Sequence, residues 1–187
     1  MDGIVNHEIT PQDVLFYWFD ELTPNDWFAG DNTLDKAISE RFSPLLKSAE
    51  KSELFSWRTT PHGRLAEIIV LDQFSRNIYR GTPQAFTQDP LALALAQEAI
   101  LLEMDEQLTT TEKAFLYMPF MHSESNIIHE KAVELFNKPG LENNYDFELK
   151  HKVIIDRFGR YPHRNEVLGR ESTLEEIEFL QQPGSRF

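Results

Sequence analysis

The sequence predicts an all-α fold, and three observations carry that prediction. Helix-capping signals recur along the chain, each followed by apolar residues at steps of three and four. No segment shows clean two-residue alternation bounded by turns. The one apolar run that reads as a strand, Ile68–Leu71, lies inside 64–80, a stretch with no turn signal between Gly63 and Gly81, and that length favours a helix. Helices joined by short connections over 187 residues make a single helical domain, 1–187.

The elements follow in order. Thr10-Pro11-Gln12-Asp13 starts a helix with a capping hydroxyl, a proline in the first turn and an acid three residues after the cap. Thr23-Pro24-Asn25-Asp26 reads as a turn. Asp31 or Asn32 caps a second helix with Leu34, Ile38, Phe42 and Leu45 on one stripe. Asp89-Pro90 repeats the signal of a cap followed by proline, and Leu91, Leu95, Ala99 and Leu102 form the next stripe. The region 112–138 reads as helix interrupted near Pro119. Another helix covers 145–158 with Gly159 as its stop. Ser172-Thr173-Leu174-Glu175 reads as a capping box for a last short helix reaching about Leu180.

Composition excludes several classes. The chain has no cysteine, so disulfides, thiolate metal sites and cysteine nucleophiles are ruled out. Its formal charge of −13 repels nucleic acid and anionic lipid. Met1–Glu8 carries acids where a signal peptide needs lysines, and no apolar run approaches the roughly 18 residues that span a membrane. A cytoplasmic protein with no nucleic-acid or membrane partner is therefore expected. Walker, GxGxxG, HExxH, GxSxG and EF-hand motifs are all missing, and no cofactor is specified.

Polar residues occupy core slots. On a helix at 64–80, Leu65, Ile69, Asp72, Arg76 and Tyr79 share one stripe, while Leu71, Phe74 and Ile78 make the other side apolar. A helix apolar nearly all round is central, so Asp72 and Arg76 form a charge pair inside the protein, either architectural or facing a cavity. His151 falls on the stripe Phe147, His151, Ile154, Phe158, and His122 on Phe115, Met118, His122. His122 and Glu124 are two apart, which is not the spacing of a helical metal pair. A metal site from His122, Glu124 and His151 therefore needs tertiary convergence, and none is assigned. The segment 151–170 has five bases (Lys152, Arg157, Arg160, Arg164, Arg170) against Asp156 and Glu166. Its arginine forks suit either an anion or the protein's own carboxylates.

Several blocks together carry a family resemblance. Phe16–Phe19, Trp27-Phe28, Leu71–Gly81, Tyr117–Glu124, Arg157–Asn165 and Leu168–Thr173 span nearly the whole chain. In them the chain resembles the uncharacterised bacterial family catalogued as domain of unknown function 924. That resemblance implies stacked antiparallel helix pairs in a tetratricopeptide-repeat-like solenoid or bundle. It implies no reaction, and the repeat family's own Trp, Leu-Gly and Tyr signature is absent here.

Two functional readings result. In the first, an internal pocket binds a small anionic ligand, with Arg76, Arg160 and Arg164 holding the anion and Asp72, His122, Glu124 and His151 around it; proton transfer by histidine and carboxylate is chemically open to such a site. In the second, a groove between helix pairs binds a peptide and the polar core residues are structural. An enclosed cavity lined by the named residues favours the first, and an exposed groove the second.

Overall fold

In a computed structural model the described residues are 8–186, and they form helices joined by short turns, with no strand among them. Met1–His7, read above for targeting signals, lies outside them. In chain order the helices are α1 (Pro11–Phe16), α2 (Pro24–Trp27), α3 (Asn32–Glu50), α4 (Pro61–Ile69), α5 (Ser75–Ile78), α6 (Gln84–Thr87), α7 (Asp89–Leu101), α8 (Thr110–Met121), α9 (Asn126–Phe136), α10 (Glu142–Phe158), α11 (Asn165–Leu168) and α12 (Leu174–Phe179).

The capping chemistry largely falls where the side chains dictate. Thr10 and Asp13 close a reciprocal box at α1, and Asp31 accepts from the Thr33 N–H at α3. The Thr23–Asp26 turn becomes the single-turn α2, because Asp26 accepts from both the backbone and the hydroxyl of Thr23. At the last helix the box sits one residue further on: Thr173 caps and Glu176 closes it. The long helical region breaks at 122–125 and not at Pro119, which α8 keeps near its end. Thr109 and Glu112 box its start. Gly159 ends α10 in the left-handed conformation.

Asp89 does not cap α7. Its carboxylate takes two charge-assisted bonds from Arg76, at 2.8 and 3.0 Å, which outcompete a neutral backbone donor.

The expected helix at 64–80 is real but not regular. α4 runs into a wider π-helical turn, Val70–Phe74, and re-forms as α5. Every residue from Gly63 to Ser75 is buried, so this rod is the axis of the molecule. It packs against α1, α3, α7 and α8, and one hydrophobic cluster extends from Val14 through Trp18, Phe42, Phe74 and Phe115 to Leu141. α8, α9 and α10 then pack in succession, and Ile154, Ile155 and Tyr161 make a second, smaller cluster at the carboxyl-terminal side.

Gly63 is where backbone closeness forbids a side chain. A β-carbon there would stand 2.1 Å from the Trp57 carbonyl oxygen and 2.8 Å from the Thr60 hydroxyl. Gly63→Ala is therefore expected to destabilise the fold by about 3 kcal/mol, although alanine is the better helix former. Urea unfolding of the variant measures this, and a neutral effect would mean that the 55–60 turn yields freely.

Candidate functional site

The site begins with the widened turn between α4 and α5, which carries Asp72 and Gln73. Asp72 is 1% exposed and its carboxylate is fully engaged. It accepts from Gln73 Nε2 at 2.6 Å, from His122 Nδ1 at 2.7 Å and from Arg76 Nη1 at 3.2 Å. Arg76 Nη1 also donates to the Asp72 main-chain oxygen at 2.9 Å. Burial alone would raise the Asp72 carboxyl, but His122 and Arg76 outweigh it and hold it well below the usual carboxylate range. Burial likewise opposes the charge on Arg76, and Asp72 and Asp89 overcome that opposition. The expected Asp72–Arg76 contact is thus present as an i, i+4 ion pair.

His122 terminates α8, where its N–H bonds back to Met118. Burial, together with Arg76, lowers its pKa and keeps the imidazole neutral. Since Asp72 is ionised, the Nδ1 of His122 carries the proton and its Nε2 is the basic nitrogen.

Arg164 is differently placed. It is 7% exposed and stacks between Phe86 and Tyr161, with its guanidinium carbon 4.6 and 4.5 Å from the two ring centres. Its Nη2 donates to the His122 carbonyl at 3.1 Å. Its Nη1 lies 3.6 Å from an Asp89 oxygen already bonded to Arg76, and its Nε has no hydrogen-bond partner. Burial and the nearby Arg76 charge lower its pKa.

Tyr161 ties these parts together. Its hydroxyl donates to the Met121 carbonyl at 2.5 Å, and its ring meets those of His151 and His163, each at 5.6 Å. Burial pushes the pKa of His151 down to about 3, while its Nδ1 donates to the Phe147 carbonyl. Burial and Arg164 push His163 down to about 4.

These groups face a cleft of about 670 Å³. Its ionisable lining consists of Arg76, Arg80 and Arg164, of His122, His151 and His163, and of Tyr161; no Asp or Glu lines it. In a chain of net charge −13 such a lining is unusual. Trp27, Phe28, Phe115, Met118 and Phe147 supply much of the remaining wall.

The structure thus gathers Arg76, His122, His151 and Arg164 on one cleft, with Asp72 directly behind, and leaves two expected residues outside it. Arg160 closes on Glu176 at 2.6 and 2.8 Å, a contact that also depresses Glu176 to about 2. Glu124 is bound bidentately by Arg170, at 2.7 and 2.9 Å, and accepts the Tyr161 N–H. Neither lines the cleft. Their role is to fix the 160–164 turn, and with Glu124 so occupied it does not join His122 and His151 around a metal. Among the described residues no group of three His, Cys, Asp or Glu side chains is arranged to hold a metal ion. Phe147, expected in a core slot, is half-exposed at the cleft.

Several partners were not legible in advance. His129 and Glu148 are completely buried and bonded at 2.6 Å, joining α9 to α10; His129 Nε2 also donates to the Ser123 carbonyl. Burial raises the Glu148 carboxyl. Asp89 gave no sequence signal beyond a helix start, whereas Tyr161 and His163 stood together in the conspicuous string Arg160-Tyr161-Pro162-His163-Arg164.

Residues 14–184 match the model of a family described as bacterial protein of unknown function, DUF924. The chain belongs to the DUF924 family. A solved structure of a protein of unknown function from Agrobacterium tumefaciens is 34% identical to this DUF924 chain, with a TM-score of 0.87 over 91% of this chain and 96% of the other. No curated protein matches it. Among the described residues, no helix is long and apolar enough to cross a membrane.

Two outcomes are expected from this geometry. Arg76→Met leaves the Asp72 charge buried without its cation and should cost about 3–5 kcal/mol. Combined with Asp72→Asn, the loss should fall short of the sum by more than about 0.5 kcal/mol, measured as a double-mutant cycle in urea; additive losses would exclude direct coupling.

The second outcome concerns acid. An unfolded histidine binds a proton below about pH 6.5, whereas folded His151 does so only near 3. The unfolded state therefore holds more protons in that window, and stability falls as pH drops through it. From pH 7 to 5 the share of His151 is about 2 kcal/mol. His151→Gln should flatten the pH dependence of unfolding by that amount, and an unchanged slope would show that His151 titrates normally.

Proposed function

We propose that this protein binds a small anionic ligand in the cleft bounded by α5, α8, α10 and the 161–164 turn. The observation that carries the reading is Arg164. Four of the five bases in the 151–170 segment close on the protein's own carboxylates, Lys152 on Asp156, Arg157 on Glu175, Arg160 on Glu176 and Arg170 on Glu124. Arg164, the most buried of the arginines in that segment, has no carboxylate within hydrogen-bond distance. A buried guanidinium with donors to spare is costly unless something else supplies an acceptor. Arg76 and Arg164 are formally balanced by Asp72 and Asp89, so affinity for an anion rests on the Nη1 of Arg164, 3.6 Å from its nearest carboxylate oxygen, and not on net charge.

The neutral His122, backed by the Asp72 carboxylate, adds a proton acceptor to the same wall. Such a pair supports acid–base chemistry on a bound ligand as readily as ligand recognition. The competing reading, a peptide groove, draws on the exposure of Phe28 and Phe147 at the cleft. It gives no role to Arg164.

The test is thermal unfolding with and without carboxylate and phosphate compounds. A ligand at a hundredfold excess over its dissociation constant stabilises the fold by about 2.7 kcal/mol. Arg164→Met should abolish the shift. Arg160→Met should lower the melting temperature through loss of the Glu176 pair yet keep the shift. If no anion stabilises the wild type, or the shift survives Arg164→Met, the anion reading fails.

A further inference from the structure

The cleft is far larger than an inorganic anion, and its walls are graded. On α8, whose lining residues also include Thr110, Thr111, Ala114 and Met121, the side chains Phe115, Met118 and His122 follow one another at about one helical turn. Seven residues of helix put the histidine about 10 Å from the phenylalanine along the axis. On α10, after Asn143 and Asn144 at its start, Phe147 and His151 repeat the step from aromatic to histidine. Around Phe115 the cleft is aromatic: Trp27 lies 4.8 Å from it edge-on, and Phe28 packs against Trp27 at 6.4 Å. Around His122 it is polar, with Arg164 bonded to the His122 carbonyl and Arg76 joined to Asp72 behind it.

Two of the aromatic side chains are exposed. Phe28 is 68% and Phe147 50% accessible, although each lines a concave surface. Large apolar side chains left wet on the same cleft as a guanidinium short of acceptors are complementary to a molecule that carries both features. A volume of about 670 Å³ suits a ligand of ordinary metabolite size and leaves most of the space empty around phosphate or acetate.

We infer that the ligand is an amphiphilic monocarboxylate, an acyl or aryl acid whose head group lies at Arg164 and His122 and whose apolar body lies along Met118 toward Phe115, Phe28 and Phe147. The inference rests on the anion reading above and adds the body that the anion carries. A carboxylate fits better than a phosphate dianion, because Asp72 and Asp89 leave the head-group end formally balanced. The ligand displaces water from the aromatic wall, and Arg164 gains a planar acceptor matched to its fork.

The experiment is calorimetric titration of the full chain with straight-chain carboxylates from acetate to octanoate, with octanol and octyl phosphate as parallel probes. Affinity should rise about fourfold per methylene, as it does for apolar surface leaving water. Octanoate should bind more tightly than octanol or octyl phosphate. Arg164→Met should bring octanoate down to octanol, with Arg164→Lys as the variant that keeps the charge if the methionine variant does not fold. Phe28→Ser with Phe147→Ser, both at exposed positions, should flatten the chain-length dependence. If acetate and octanoate bind equally, the inference is overturned and the anion reading stands. If octyl phosphate wins, the head-group assignment is overturned. Equal binding of octanol and octanoate to the wild type, or no binding by any probe, overturns both.

Discussion

Arg76 holds two carboxylates at once, Asp72 on its own rod of helix and Asp89 at the start of α7. Asp72 is buried, while Arg76 and Asp89 keep 20% and 14% of their side-chain surface, so it is the Asp72 charge that is least tolerable without its cation. That requirement orders the surroundings. It diverts Asp89 from capping α7 and locks α5 against it. It keeps Asp72 ionised so that the carboxylate accepts the Nδ1 proton of His122, which fixes the end of α8. The widened turn at Val70–Phe74 belongs to the same arrangement, since Arg76 also bonds the Asp72 main-chain oxygen there. Widened turns of this kind recur at functional sites, because they re-aim side chains that a regular helix would bury elsewhere.

A second set of side-chain pairs does a different job. Glu124–Arg170 and Arg160–Glu176 anchor the turn after α10, and the fully buried His129–Glu148 pair ties α10 to α9. Together they hold Tyr161 against the histidines and deliver Arg164 to the cleft. The division of labour among the arginines follows from acceptor supply. In the 151–170 segment, where a carboxylate is within hydrogen-bond reach the guanidinium closes on it and is structural. Arg164 reaches only an aspartate that Arg76 has already taken.

Much of the architecture was written in local chemistry. The hydroxyl–acid box at Thr10, the proline starts, Gly159 and the three–four stripes act over a few residues, so they were readable without knowing what packs on what, and the last box was placed to within one residue. The boundaries that slipped did so where tertiary contacts compete with local ones. Asp89 left its cap for Arg76, and the helix at 64–80 widened in the middle. The buried position of Asp72 and His151 was equally legible from their place on apolar stripes, whereas Arg76 and His122 on such stripes stop part-buried at the cleft.

What the sequence determined by itself was therefore most of the longer helices and part of the list of polar groups that enter the interior, a list from which His129 and Glu148 were missing. Which arginine is spoken for, and which is not, was decided by the tertiary structure alone. Arg160 and Arg164 are four residues apart in one basic loop and are indistinguishable by composition or spacing. They differ because Glu176, brought back by α12, meets one of them, while Phe86, Tyr161 and an already occupied Asp89 meet the other. Pairing between residues distant in sequence depends on where the chain returns, and the periodicity of a single helix carries no record of that.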